Sequence, residues 1–303
     1  MRIAFAKKLL ELAINDSSIL LITGDVGFSV LDDFAKTIPN QYINSGINEQ
    51  SMMSMAAGLA SRGYRPFVYS IGNFPTFRCL EQIRNDVCYM DNSVTIVSIG
   101  AGLGYGNLGY SHHAIEDISV MRALPNMRIF SPGDSDEVPF VIDKILVDTK
   151  PAYLRLGKGG EKKFTQIDIG LFNNLREVIS GIDGVIAFTG GIGTRVLEAI
   201  ELLKKDGIEP RVISVPILSD TSILELLSIC PNKVLLTVEE HLLKGGFGSM
   251  VLEIAEEQGS DCKISRIGLD PKLISKLGSQ KFLLDEHGLT STAIFQKFKS
   301  LYT

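Results

Sequence analysis

Residues 42–50 read YINSGINEQ, and the chain continues as SMMSMAAGLA over residues 51–60. This stretch predicts the end of a short strand, a turn that contains Gly46, and a helix whose first turn carries Glu49. Open α/β sheets place their ligand sites where a strand gives way to a helix. A lone glutamate in a first helical turn is also favoured by the helix dipole, so either a capping or a catalytic carboxylate is expected here.

The rest of the chain alternates between strand-like and helix-like segments. Strand patterns fall at residues 18–23, 42–44, 66–70, 94–98, 125–132, 152–156, 185–189, 210–215, 234–238 and 263–267. Strands that alternate with helices form parallel sheets. We therefore predict two doubly wound α/β domains with mainly parallel sheets, at residues 1–165 and 178–303, joined by a linker in the Gly- and Lys-rich region of residues 157–180.

Composition narrows the class of protein. The 303 residues are 45% apolar and 21% charged, with a net charge of −5 and no basic block, which disfavours nucleic acid and anionic membranes as partners. Four cysteines without CxxC spacing fit a reducing cytoplasm. The amphipathic start of the chain does not resemble a signal peptide, and no apolar run is long enough to cross a bilayer. We expect a cytoplasmic protein.

Residues 100–109 contain five glycines and lead into Ser111 and His112. Such a loop lets the backbone approach a ligand closely, and the absence of a following G-K-[ST] excludes a P-loop. A helix that begins near Ala114 would place His112 and Glu116 on one face, a spacing that also occurs in metal sites, but two ligands do not make a site. We favour a His112 that transfers a proton or binds a hydroxyl group.

Four further motifs were considered as candidate sites, and two of them leave two interpretations. Phe74 and Phe77 are either core residues or a wall on which a flat heterocycle stacks. Arg155, at a strand end, is either a surface residue or an anion clamp. The TGGIGT segment at residues 189–194 lacks dinucleotide spacing and predicts a tight turn. The EEH segment at residues 239–241 predicts an interface or cleft without assigned chemistry.

Several stretches occur in the order and spacing of one known family. They are LITGD at residues 21–25, GINEQ at 46–50, EQIRNDV at 81–87, GYSH at 109–112, LPNM at 124–127 and SPGD at 131–134. The chain resembles the C-terminal half of transketolase, and the second subunit of split transketolases, over nearly its whole length. The resemblance implies a thiamine-diphosphate enzyme that transfers a two-carbon ketol unit from a ketose to an aldose-type acceptor. It also implies a pyrimidine-binding domain followed by a transketolase C-terminal domain.

The resemblance also implies roles for residues near the cofactor. Glu49 matches the catalytic glutamate that hydrogen-bonds the cofactor's aminopyrimidine ring. Phe74 and Phe77 fall where the family stacks aromatic side chains on that ring. Asp25, in the LITGD stretch, is expected to contact the cofactor.

Substrate roles follow in the same way. His112 matches a catalytic histidine that contacts sugar hydroxyls, with Ser111 beside it. Arg155 resembles an arginine that binds the acceptor's phosphate, and Arg2 matches another arginine on the phosphate side much less securely.

One family feature is missing. Transketolases hold the diphosphate through Mg²⁺ (or Ca²⁺) with a GDG segment followed by an asparagine, and no GDG occurs in this sequence. The resemblance therefore implies a partner, the N-terminal-half subunit that carries GDG, with the cofactor at the shared interface. Two copies of each chain, a 2+2 heterotetramer, are expected.

Two departures concern the substrate. Leu108 stands where transketolases usually place an aspartate for a sugar hydroxyl, and Gly100 stands where a second phosphate-binding histidine often lies. Because leucine cannot accept a hydrogen bond, our hypothesis is a less phosphorylated or deoxygenated sugar.

Three alternatives remain open. They are the β subunit of a 2-oxo-acid dehydrogenase, half of a deoxyxylulose-phosphate synthase, and a non-catalytic regulatory subunit of the same fold. The Ser111-His112 pair before Pro125 favours the transketolase interpretation over the dehydrogenase, and the presence of Glu49 with His112 argues against a non-catalytic subunit.

Overall fold

The computed structural model describes residues 1–164, 171–172, 174–230 and 234–302, so the predicted junction between residues 165 and 178 lies partly outside the described residues. The strands are β1 (Ile19–Thr23), β2 (Tyr42–Asn44), β3 (Arg65–Ile71), β4 (Thr95–Ile99), β5 (Arg128–Phe130), β6 (Ala152–Leu156), β7 (Leu171–Phe172), β8 (Leu175–Ile179), β9 (Val185–Thr189), β10 (Arg211–Ser214), β11 (Ile217–Leu218), β12 (Val234–Leu242) and β13 (Lys263–Leu269).

The α-helices lie between these strands and after them. They are α1 (Arg2–Asn15), α2 (Asp32–Thr37), α3 (Glu49–Ala60), α4 (Leu80–Gln82), α5 (Asp117–Arg122), α6 (Glu137–Val147), α7 (Gly193–Lys205), α8 (Asp220–Ser228), α9 (Phe247–Glu257), α10 (Gln280–Glu286) and α11 (Ser291–Tyr302). Helix α4 continues as a π-helical segment, Ile83–Tyr89, and short 3₁₀ turns include Phe77–Cys79, Gly106–Leu108 and Tyr110–His112.

The first sheet has seven strands in the order β11-β5-β6-β4-β3-β1-β2, and all are parallel except β11. Its central strands are apolar on both faces because helices cover both. Leu21 and Val97 pack on the side of α1 and α6, whereas Ile22 and Ile96 pack on the side of α3. This two-sided burial explains why β1 reads as an unbroken apolar run rather than an alternating one.

The second sheet has six strands in the order β13-β12-β9-β10-β8-β7, with β7 and β8 antiparallel to their neighbours. The prediction of an α/β fold with two mainly parallel sheets is confirmed. Strands β7, β8 and β11 were missed. Strand β8 lies inside the predicted linker, and the two-residue β11 leaves the second domain to pair with β5 of the first sheet.

The two domains share part of their core. Ile22 and Tyr153 of the first domain belong to the same apolar cluster as Ala187 and Ile213 of the second. Burial of apolar surface favours association by roughly 25 cal/mol per Å², so the domain arrangement is stabilised chiefly by packing. In the part of the chain that the structure describes, no helix has both the length and the apolar character needed to cross a membrane.

One element begins later than predicted. Helix α5 starts at Asp117 rather than near Ala114. Ala114 instead exchanges backbone hydrogen bonds of 2.9 Å with Gly102, so the chain is extended there. The glycine loop is pinned by this pairing, and His112 lies on a short 3₁₀ turn before it.

Candidate active site

The site residues follow neighbouring parallel strands, so they meet at one edge of the first sheet. In spatial order, Glu49 follows β2, Asp25 follows β1, Phe74 follows β3, and His112 follows β4. The loop after β6, which carries Lys158, continues the same edge. The edge therefore forms a row in which carboxylate, aromatic, imidazole and ammonium groups succeed one another.

Glu49 is the first residue of α3, after a turn in which Gly46 has a φ of +73°. Its side chain is only 4% exposed, and its carboxylate faces the positive end of the helix dipole. Arg78 Nη1 donates a hydrogen bond of 2.8 Å to Glu49 Oε2, while the Arg78 side chain remains 48% exposed. The buried carboxylate of Glu49 therefore accepts a hydrogen bond from the half-exposed side chain of Arg78.

The Arg78 guanidinium also lies on the ring of Phe74, with its central carbon 4.7 Å from the ring centroid. The Phe74 ring meets His112 edge-on, with 5.2 Å between centroids. A flat hydrogen-bond donor therefore already occupies the space above Phe74 and beside Glu49. Phe77, on the next turn, is 36% exposed.

His112 is half-buried and is positioned by its own turn. Its Nδ1 lies 3.0 Å from the hydroxyl of Ser111. Asn73 Nδ2 donates to the carbonyl of Ser111 at 3.2 Å and to that of Tyr110 at 3.4 Å, which fixes the turn against the end of β3. Ser111 and His112 are therefore held together, close to Phe74.

Asp25 and Asn44 form two reciprocal hydrogen bonds that join the ends of β1 and β2. Its N–H donates to Asn44 Oδ1 at 3.1 Å, and Asn44 Nδ2 donates to Asp25 Oδ1 at 3.0 Å. Asp25 has a φ of +58°, a conformation that is uncommon outside glycine. Its carboxylate is exposed and lies on the same edge as Glu49.

The prediction that Arg155 clamps an acceptor phosphate needs correction. Arg155 is 2% exposed, and its Nε donates to Asp117 Oδ2 at 2.7 Å. Its Nη2 donates to the carbonyls of Ala114 at 2.8 Å and Glu240 at 2.9 Å. Because a buried, paired guanidinium is costly to expose, Arg155 holds the glycine loop to the second domain instead of facing a substrate.

The metal spacing considered for His112 and Glu116 does not form, since α5 begins only at Asp117. Glu116 instead accepts a hydrogen bond of 2.7 Å from the Tyr110 hydroxyl. Among the described residues, no group of three or more His, Cys, Asp or Glu side chains is placed to bind a metal.

The structure describes both positions of the glycine loop at which the sequence departs from the family pattern. Leu108 is 49% exposed. Gly100 has a φ of +86°, and a Cβ placed there would stand 2.1 Å from the ring of Tyr105. The Tyr105 ring thus fills the space that a side chain at position 100 would need.

The thiol nearest the site is unsuited to nucleophilic chemistry. Cys79 is buried and its Sγ donates to the carbonyl of Phe74 at 3.3 Å. Burial, together with the charge of Glu49, raises the pKa of Cys79 to about 12. Since the thiolate is the reactive form, Cys79 serves as a packing residue.

Sequence reasoning missed Arg78, Tyr105 and Lys158. Tyr105 and Lys158 become recognisable only when separate loops meet at the sheet edge. For Arg78, the spacing of four residues from Phe74 was a usable signal, since it places both side chains near one face of a turn. The EEH segment was expected to line an interface or cleft, and Glu240 Oε1 accepts a hydrogen bond of 2.6 Å from the Leu103 N–H of the first domain.

Two family models match the chain. The one described as "Transketolase, pyrimidine binding domain" matches residues 1–160, and "Transketolase, C-terminal domain" matches residues 179–294. Among curated relatives, one of the subunits of an apulose-4-phosphate transketolase from Phocaeicola vulgatus is 32% identical over 305 residues, covering 97% of this chain and 96% of the relative. A 1-deoxy-D-xylulose-5-phosphate synthase from Listeria innocua is 36% identical, but this chain spans only 48% of it.

Solved structures agree. A split-gene transketolase described as an inactive β4 tetramer is 30% identical and superposes with a TM-score of 0.86, covering 99% of this chain and 96% of that one. The transketolase of Campylobacter jejuni, at 20% identity, has a TM-score of 0.80 and is matched over 46% of its length, which supports the fold alone.

Proposed function

Because the chain belongs to the transketolase family, we propose that it is the pyrimidine-domain subunit of a thiamine-diphosphate-dependent transketolase made from two chains. It would transfer a two-carbon ketol unit from a ketose to an aldose-type acceptor. The observation that carries the proposal is the Glu49 carboxylate, which is almost fully buried at the edge yet accepts a hydrogen bond from a half-exposed donor.

The residues present fit the aminopyrimidine half of the cofactor. The Arg78 guanidinium, a flat cationic donor, lies on Phe74 and bonds Glu49, and an aminopyrimidine ring offers the same flat shape with a ring nitrogen that can meet the carboxylate. When bound, thiamine diphosphate supplies the carbanion-stabilising chemistry. Glu49 would hold or share a proton at the ring nitrogen, and Phe74 would support the ring face.

The substrate side of the site would be formed by His112 and Ser111. Their imidazole and hydroxyl groups lie 3.0 Å apart and can orient a sugar hydroxyl or move a proton at it. The exposed Asp25 would contribute on the cofactor side, and Phe77 would shield the cofactor from solvent.

A partner chain would complete the site. The sequence lacks the GDG segment that holds the diphosphate through Mg²⁺ in this family, so the diphosphate half is assigned to an N-terminal-half subunit. Three large apolar side chains stand exposed on loops of the same edge, namely Phe28 (74%), Ile47 (77%) and Leu108 (49%). Exposed apolar groups of this size favour a protein interface. We infer a 2+2 assembly, and a solved β4 tetramer of a related chain supports self-association of such chains.

The test is reconstitution. The chain, co-expressed with a GDG-containing N-terminal-half subunit, is assayed with thiamine diphosphate, Mg²⁺, hydroxypyruvate as two-carbon donor and a series of aldoses. We expect ketol transfer from the mixture and none from either chain alone. Absence of transfer with every donor and acceptor, in a complex that co-elutes and binds the cofactor, would contradict the proposal.

The same assay separates the second candidate. The 36% identity to 1-deoxy-D-xylulose-5-phosphate synthase favours a test with pyruvate as donor. A complex that accepts pyruvate and rejects hydroxypyruvate would be a synthase rather than a transketolase.

A further inference from the structure

Two cysteines of the second domain lie side by side. Cys230 follows α8, and Cys262 directly precedes β13. The Sγ atom of Cys262 lies 3.3 Å from the Sγ atom of Cys230, although 32 residues separate the two positions in the chain. Both residues are reduced in the structure. Cys230 and Cys262 are therefore close enough to react with each other.

The neighbouring strands fix the positions of these two side chains. Strands β12 and β13 run parallel, and Val234, the first residue of β12, pairs with Lys263, the residue after Cys262. The Sγ atom of Cys230 donates a hydrogen bond of 3.2 Å to the carbonyl of Val234. Both cysteines also pack against the apolar cluster that the two domains share. The short distance between the sulfur atoms is therefore set by strand pairing and by packing.

A disulfide requires little movement from this arrangement. The two sulfur atoms must move roughly 1 Å closer, which a small rotation of either side chain about its Cα–Cβ bond supplies. Both residues are half-buried, so a small oxidant can reach them. The other two cysteines of the chain, Cys79 and Cys88, lie buried in the first domain with 0% and 5% exposure. Cys230 and Cys262 are thus the more accessible thiols.

The chemistry of the pair differs from that of a catalytic dithiol. The hydrogen bond from Cys262, together with burial, raises the pKa of Cys230. Because the thiolate is the attacking form in thiol–disulfide exchange, the reaction is slow unless the oxidant is in excess. The pair therefore suits a response to sustained oxidation rather than repeated redox turnover.

We propose that Cys230 and Cys262 form a reversible disulfide with a low-molecular-weight disulfide of the glutathione type as oxidant, and that this bond locks the N-terminal end of β12 to that of β13. One cysteine thiolate attacks the disulfide of the oxidant, which releases one thiol and leaves a mixed disulfide on the protein. The second cysteine thiolate attacks the protein sulfur of that mixed disulfide and expels the second thiol. Two electrons pass to the oxidant, and the two thiol protons of the protein end on the two released thiols.

The bond closes a segment of the chain that includes β12 and α9. A cross-link of this kind restricts the unfolded chain and thereby stabilises the folded one. The pair lies beyond the N-terminal end of β12, whereas Glu240, near the other end of this strand, contacts the glycine loop. The inference therefore concerns the stability of the second domain and does not depend on the proposed enzyme activity.

The test oxidises the full-length chain with excess oxidised glutathione at mildly alkaline pH. Peptide mapping without reductant should show a peptide that joins Cys230 to Cys262, with a mass about 2 Da below the sum of the two reduced peptides. The melting temperature should rise by about 3 °C or more, the scale expected for a cross-link that closes a loop of this length. Dithiothreitol should reverse both changes.

Two variants show whether the rise depends on this pair. Cys262→Ser removes one of the two thiols, so oxidation should leave its melting temperature unchanged. Cys88→Ser is the matched control, because it removes a thiol of the first domain and keeps the pair. Its melting temperature should rise on oxidation by as much as that of the wild type, whatever its stability in the reduced state.

Several results would overturn the proposal. They are two reduced thiols after prolonged oxidation, a glutathione adduct retained at Cys230 or Cys262 without the joined peptide, and a rise of less than about 3 °C in the fully cross-linked protein. An equal rise in Cys262→Ser would overturn it as well. The peptide map of the wild type decides whether the bond forms even if Cys262→Ser does not fold.

Discussion

At the scale of single residues, the contact between Glu49 and Arg78 determines what the edge can bind. Glu49 is buried and Arg78 is half-exposed, so the carboxylate keeps its position while its partner can leave. A ligand that needs the same carboxylate oxygen must displace Arg78. The contact therefore keeps Glu49 hydrogen-bonded when the cofactor is absent.

Replacing Arg78 tests this displacement. An ion pair with one exposed partner contributes about 1 kcal/mol or less, so Arg78→Met should lower the thiamine diphosphate concentration for half-maximal activity by up to about fivefold. Titration of the complex with the cofactor, followed by rate and by calorimetry, gives the value. Arg84→Met, on the following π-helical segment, is the control. Weakening by about tenfold or more would identify Arg78 as a cofactor ligand and contradict a displacement role.

The site residues that could be predicted are those that stand in sequence motifs, whereas those defined by contacts between distant parts of the chain could not be predicted. Glu49 and His112 stand in ordered motifs, so the sequence identified them as candidates, and Phe74 followed from its place after a strand. Arg155 was misassigned because its burial depends on Asp117, 38 residues away, and on the carbonyl of Glu240 in the other domain. The contact between Lys158 and Tyr105 was missed because the two residues belong to different loops.

At the scale of elements, the alternation of strand-like and helix-like segments along the chain predicted the strands that are buried on both faces. Residues 19–23 and 95–99 are buried throughout, and both became central strands. The two-residue β11 could not be predicted because it exists only through pairing with β5. Helix α5 began late for a similar reason, since the pairing of Ala114 with Gly102 competes with helix formation.

The raised pKa of Glu137, in the first turn of α6, predicts that the free energy of unfolding depends on pH. Burial, aided by the charge of nearby Asp134, raises the pKa of Glu137 to about 7, although the Gly133 N–H donates to this carboxyl at 2.6 Å and opposes the shift. The folded protein therefore binds this proton more tightly than the unfolded chain. Its contribution to stability is complete below the ordinary pKa of 4.5 and is lost as pH rises through 7.

Urea unfolding at pH 6 and pH 8 measures this effect. The wild type should lose about 1 kcal/mol of unfolding free energy from this group over that interval, whereas Glu137→Gln should lack that part of the slope. Glu256→Gln, an exposed substitution, serves as control. An unchanged pH slope in Glu137→Gln would show that Glu137 does not titrate in this range.

At the scale of the whole molecule, the two domains share part of their core, and the candidate site lies where the carboxyl ends of the strands of the first sheet meet. Leu103 of the glycine loop packs in the apolar cluster of the second domain, and Arg155 joins the carbonyls of Ala114 and Glu240. Phe28, Ile47 and Leu108, in the segments that follow β1, β2 and β4, remain exposed. Such a division suits a subunit whose site is completed by another chain.

The most direct test of that account is the turnover of Glu49→Gln in the reconstituted two-chain complex. The substitution keeps the size of the side chain but removes the carboxylate that would hold a proton at the cofactor ring. We expect kcat for ketol transfer to fall at least about 100-fold, the usual scale of a lost acid–base group, while the chains still co-elute. Glu81→Gln, a substitution of an exposed glutamate on α4, should keep full activity. A Glu49→Gln complex that transfers the ketol unit within about tenfold of the wild-type rate would contradict the account.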